Sequence, residues 1–205
     1  MQSSLRSVLV PFAAAAVLAA PAPAGAAIVS ADFLESLDLP TCCSSGPRIE
    51  QALGRALGAG FELTAADLVA NPSFWNNSFN VDLDGVTPEL RLTPDGSNRY
   101  QTITVTVSNI VFSLAGEHIA GFSLISDSAT TPEVGVVTDT TSFTNDSFSV
   151  TIDISPMDPS NAFDFVPSGV ARFGINLAVD QAPEPASLLL LGLGLAGMGF
   201  ARRRI

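Results

Sequence analysis

The sequence predicts a mainly β protein. The expected core is an antiparallel β-sandwich of about seven or eight strands. One or two short helices precede the strands, an N-terminal signal segment leads the chain, and a C-terminal transmembrane helix ends it. Three observations lead there. Apolar and polar residues alternate with period two in four runs between Phe79 and Val179. Gly, Pro, Asp and Ser separate those runs. The third is a contradiction: the chain of 205 residues has a net charge of −11, yet its mean hydropathy is +0.38.

That contradiction resolves once the chain is cut into three pieces: 1–27, 28–182 and 183–205. The first piece has the form of a secretory signal. Arg6 supplies the positive start, and Val8 to Ala20 is apolar. Pro21-Ala22-Pro23 breaks the run, and Ala24-Gly25-Ala26 has the small-x-small form of a cleavage site. Cleavage is expected after Ala26 or Ala27, in the region of Ala24, Ala26 and Ala27. The alternative, a first transmembrane helix, is disfavoured by the short apolar run and its Pro/Ala/Gly end.

The second piece holds 19 acids against 5 arginines, a balance of −14. It is long enough to bury a sizeable core. Pro47 suits a first helical turn, and Ile49, Leu53, Ala56 and Leu57 share a face at helical spacing. Gly58 and Gly60 would stop that helix. A second short helix is expected from Thr64, with Asp67 three residues on as an imperfect capping box and Asn71-Pro72 ending it.

The period then changes to two. Phe79, Val81 and Leu83 alternate with Asn80, Asp82 and Asp84. Ile103, Val105 and Val107 alternate with Thr102, Thr104 and Thr106. Phe148 to Ile154 and Ala171 to Val179 repeat the pattern, and shorter strands are expected near Leu90, Phe122 and Val136. One apolar and one polar face per strand is the mark of an antiparallel sheet with a wet side.

The third piece is a tripartite tail. Pro183, Glu184 and Pro185 precede a 16-residue apolar run, Ala186 to Ala201, and then Arg202, Arg203 and Arg204. As a helix the run is about 24 Å long, and the arginines snorkel to make up the difference from a hydrocarbon core of about 30 Å. The arginine cluster keeps the C-terminal end cytoplasmic. Gly192, Gly194 and Gly197 spell a dinucleotide fingerprint, but no strand precedes them and no acid follows at the required distance. Small residues in a lipid-facing helix serve close packing instead, and no cofactor is expected.

This three-part tail, Ala182 to Ile205, resembles the PEP-CTERM sorting signal. The resemblance implies a Gram-negative bacterium and an exosortase-type enzyme that processes the tail. It also implies the secretion machinery and the inner membrane as transient partners, and export to the cell surface, often alongside exopolysaccharide. In that resemblance Pro183, Glu184 and Pro185 are the recognition motif and Arg202 to Arg204 the stop-transfer cluster. A plain C-terminal anchor is the alternative.

Composition excludes several chemistries. A chain with pI near 4.2 has no long-range attraction for nucleic acid. One His and two Cys cannot close a zinc site. Cys42 and Cys43 are adjacent, about 3.8 Å apart at Cα, below the usual disulfide span of about 4.4–6.8 Å. A strained vicinal bond, an intermolecular bridge and free thiols stay open. His118, after Glu117, has the residue type of a general base but no G-x-S-x-G beside it, and a loop histidine is the simpler account. Asp82-Leu83-Asp84-Gly85 offers oxygens for Ca²⁺ but lacks the rest of an EF-hand loop, and Asp-Gly is also hairpin chemistry. Phe74, Trp75 and Phe79 lie among Asn76, Asn77 and Asn80, so Trp75 and Asn77 are candidate carbohydrate contacts. The expected function is that of a non-catalytic surface or matrix protein. The alternatives are a carbohydrate-binding module and, third, a polysaccharide-active enzyme.

Overall fold

A computed structural model describes residues 27–38, 47–70, 77–97, 99–132, 135–155 and 162–180. Within them the chain is mainly β, with thirteen strands and one 3-10 turn. The strands are β1 Ile28–Asp38, β2 Arg48–Ala56, β3 Leu68–Ala70, β4 Phe79–Asp84, β5 Glu89–Pro94, β6 Arg99–Tyr100 and β7 Thr102–Phe112. There follow β8 Glu117–Asp127, β9 Thr130–Pro132, β10 Val136–Phe143, β11 Phe148–Ser155, β12 Phe163–Phe165 and β13 Ala171–Val179. Every strand pairing is antiparallel.

The strands form a six-stranded sheet in the order β10-β11-β7-β1-β2-β3, a four-stranded sheet β4-β5-β13-β8, and a small sheet β6-β12-β9. The alternation of period two explains the sidedness of each. Ile103, Val105 and Val107 of β7 and Val150 and Ile152 of β11 are fully buried, while the threonines between them face outward. Leu90, Leu92, Ala171 and Phe173 bury the matching face of the four-stranded sheet. Both large sheets contribute to one continuous apolar cluster. Phe122 of β8 joins them, its ring centroid 4.4 Å from Phe148 of β11 and 5.7 Å from Phe173 of β13. The small sheet adds Phe165, 4.5 Å from Phe79 and 5.0 Å from Tyr100 between ring centroids.

The expected helix after Pro47 is instead strand β2. Its inward positions are Arg48, Glu50 and Ala52, all buried. Because two of those three are charged, the apolar residues at helical spacing fall partly on the outside, and Leu53 is 67% exposed. The pairing of Arg48 with Glu50, 2.6 Å apart, lets the strand bury them. The second expected helix is only the 3-10 turn Ala65–Asp67. Its capping box is present: Thr64 N donates to Asp67 Oδ2 at 3.0 Å and Ala66 N donates to Thr64 Oγ1 at 3.3 Å. The turn goes no further because Leu68 and Ala70 pair with β2.

Candidate functional site

The sorting residues Pro183, Glu184, Pro185, Arg202, Arg203 and Arg204 lie outside the described residues, as do Ala24, Ala26, Cys42, Cys43 and Trp75. No helix among the described residues is long and apolar enough to cross a membrane. Ala27, at the expected cleavage region, meets Ser113: its N donates to Ser113 Oγ at 3.2 Å, and its carbonyl accepts from Ser113 N at 2.8 Å. β1 starts at the next residue.

A concave site with convergent polar groups lies beside the β4–β5 turn. Leu57, Gly58, Gly60, Asp82, Val86 and Arg91 are among the walls of a cleft of about 420 Å³. Asp84 is a turn cap. Its Oδ1 accepts from Val86 N at 2.9 Å and Thr87 N at 3.0 Å, and these amides, Thr87 first, hold its carboxyl below the ordinary value. Burial raises the Asp82 carboxyl, against the pull of Arg91, whose Nη1 is 3.7 Å away. Glu62 sits behind this wall. Its carboxylate accepts from Leu83 N at 2.8 Å, and burial raises its carboxyl. The Asp82-Leu83-Asp84-Gly85 segment is therefore a strand end and its hairpin turn. Among the described residues no group of three or more His, Cys, Asp or Glu converges to hold a metal ion.

The same sheet carries an ion ladder. Arg91 Nε and Arg172 Nε donate to Glu89 Oε1 at 2.7 and 2.8 Å, and Arg172 Nη2 donates to Oε2 at 2.8 Å. The Arg172 hydrogen bonds lead in pulling the Glu89 carboxyl down to about 2. Every one of the five arginines between 28 and 182 has a carboxylate partner. The others are Arg48–Glu50 at 2.6 Å, Arg55–Asp67 at 2.7 Å and Arg99–Asp164 at 3.6 Å. These five arginines are thus matched within the fold.

Asn77 is half-buried. Its carbonyl accepts from the Tyr100 hydroxyl, its Nδ2 donates to Ser97 O at 3.5 Å, and its amide covers Gly96, where a Cβ would come within 1.9 Å. Phe79 is fully buried against Phe165, so this member of the aromatic group belongs to the core. His118 lies at the start of β8, its Nδ1 3.3 Å from Gly116 O and 3.8 Å from Asp180 Oδ1. Glu117 beside it caps a turn, accepting from Leu114 N at 2.6 Å.

Two features have no counterpart in the sequence reading. Glu35 on β1 stands opposite Glu50 on β2, both fully buried. Burial, then the Glu50 charge, push the Glu35 carboxyl well up, while Phe79 N donates to its Oε1 at 3.2 Å. The clue was Phe33, Glu35 and Leu37 in alternation. The other is Asp139, on the half-buried side of β10.

Against families of known proteins, residues 181–204 match the PEP-CTERM protein-sorting motif. No curated protein and no solved structure matches the chain. The chain carries a PEP-CTERM sorting signal at its C-terminal end, the mark of a protein exported to the cell exterior and processed by an exosortase-type enzyme.

Proposed function

We propose that this chain is a non-catalytic protein of the cell surface or extracellular matrix, displayed through its PEP-CTERM tail in an exopolysaccharide or biofilm layer. The tail match at 181–204 carries the reading. The tail acts as a transient helical anchor in the inner membrane, with Pro183-Glu184-Pro185 presented to the exosortase on the exported side and Arg202 to Arg204 held on the cytoplasmic side. The exported part is a β-sandwich whose two large sheets face each other across Phe122, Phe148 and Phe173. Its arginines are matched by its own carboxylates, so its outer charge is acidic and hydrated, which suits a neutral polysaccharide gel better than an anionic partner.

Among the described residues, the polar groups of the cleft and His118 are engaged in structural contacts. The carboxylates of the cleft are occupied as a turn cap and as arginine partners. His118 Nδ1 has Gly116 O and Asp180 Oδ1 as its neighbours, a carbonyl and a carboxylate. The test is fractionation of cells with and without exosortase. The expected result is mature protein at the exterior only when exosortase is present. Accumulation in the inner membrane in both cases would refute the sorting claim.

A second reading is a carbohydrate-binding module with the same address. It draws on Asn77, held at the Gly96 turn, and on its sequence neighbour Trp75, which lies outside the described residues. A glycan array decides it: the module reading requires binding that Trp75→Ala abolishes, and an empty array removes it.

A further inference from the structure

We propose that β10 is a self-association edge guarded by Asp139: a second copy of this chain pairs antiparallel along β10 once Asp139 takes up a proton, and is refused while the carboxylate is ionised. β10 lies at the edge of the six-stranded sheet, paired with β11 from Val136↔Ser155 to Phe143↔Phe148. Its other side offers a row of main-chain donors and acceptors, which is a template for another strand. The strand is eight residues long and has no Lys, Arg, Pro or Gly. Thr138, Thr140 and Ser142 face solvent, and the apolar ends Val136 and Phe143 are 64% and 47% exposed. Among the described residues, the edge-protecting device present on this strand is an inward-pointing charge, Asp139.

The strand is self-complementary. In an antiparallel pair centred on Thr140, Val137 of one copy faces Phe143 of the other, and Thr138 faces Ser142. Each Asp139 then faces a Thr141, and the two aspartates lie diagonally, about 7–8 Å apart at most. Two ionised carboxylates at that separation, on a half-buried face, repel. Two protonated ones do not, and the exposed Phe143 rings are covered. The occupant is a copy rather than a foreign strand because in this centred register each Val137 meets the other copy's Phe143 at both ends of the pair.

The surroundings of Asp139 favour a proton. Its Oδ1 is buried with no hydrogen-bond partner. Asp127, at the end of β8, is the charge that faces it. The Asp127 carboxylate accepts from Ala129 N and Thr130 Oγ1, both at 2.6 Å. His118, at the opposite end of β8, lies beside Asp180. Asp153 of β11 stands opposite Thr138 and so belongs to the outer face. β9 carries no charge. Among the described residues of these strands no cation faces Asp139. Burial first, then Asp127, push its carboxyl up to about 6.

The test is sedimentation velocity of the full chain in a non-ionic detergent, at about pH 8 and about pH 5, at constant salt. The expected result is monomer at the higher pH and dimer at the lower, with a midpoint near 6. Asp139→Asn is expected to dimerise at both, and Asp139→Ser provides the same test if the Asn variant fails to fold. Phe143→Lys is expected to abolish the acid dimer. Monomer throughout for the wild-type chain would overturn the proposal. So would an acid dimer that Phe143→Lys leaves intact, or one whose midpoint Asp139→Asn does not move.

Discussion

Glu89 on β5 and Arg172 on β13 form a two-pronged ion pair, Nε to Oε1 and Nη2 to Oε2, each at 2.8 Å. Arg91 adds a third bond to the same carboxylate. The pair ties neighbouring strands of the four-stranded sheet on its solvent side. Its arginines are nearly half exposed, which screens it.

Glu89→Gln is expected to destabilise the protein by about 1 kcal/mol, the lower range for a charge-assisted bond that water partly screens. The sign with pH follows from the lowered carboxyl. The contribution is fully present above the unfolded value, 4.5, and is lost as pH falls toward about 2. Urea unfolding of both proteins across the acid range checks this: the gap between them should close at the acid end.

Glu35 predicts the reverse sign. Its carboxyl is raised, so the folded state favours its protonated form. The stability tied to that form is fully present below the unfolded value and is lost as pH rises through the folded one. Glu35→Gln, which copies the neutral acid, should gain on the wild type as pH increases. A gap that does not change with pH would show that Glu35 stays ionised.

Phe122 links the two large sheets through Phe148 and Phe173. Phe122→Ala is expected to cost about 3–5 kcal/mol, the range for emptying an aromatic site in a packed core. A thermal melt of the variant measures it.

Gly85 closes the β4–β5 turn against the start of β1. A Cβ there would lie 2.1 Å from the Ile28 carbonyl oxygen, a main-chain atom that cannot step aside alone. Gly85→Ala is expected to cost about 1–3 kcal/mol. Gly58→Ala is the control: nothing lies within 4 Å of its Cβ position, and a change of less than about 0.5 kcal/mol is expected.

Legibility in the sequence followed the cleanliness of alternation. β4, β11, β13 and the first half of β7, Thr102 to Val107, alternate cleanly, and the segments near Leu90, Phe122 and Val136 are strands as expected. β2 hid because Arg48 and Glu50 occupy its inward positions and neutralise each other there. β1 hid for a related reason, with Glu35 set between Phe33 and Leu37 on the buried side. The strands of β6, β9 and β12 are two or three residues long, too short for any period to appear. The sorting signal was legible because its three parts are contiguous and need no tertiary fold. Asp139 was not, because the run Val136–Phe143 has no alternation that marks its inward side.

On this proposal the tail is a processed sorting signal and not a permanent anchor. Intact mass of the mature protein, recovered from cells with an active exosortase, tests it most directly. The mature chain is expected to begin after Ala26 or Ala27 and to lack the segment from the apolar run to Ile205. A mature mass that still includes Ala186 to Ile205 would contradict it.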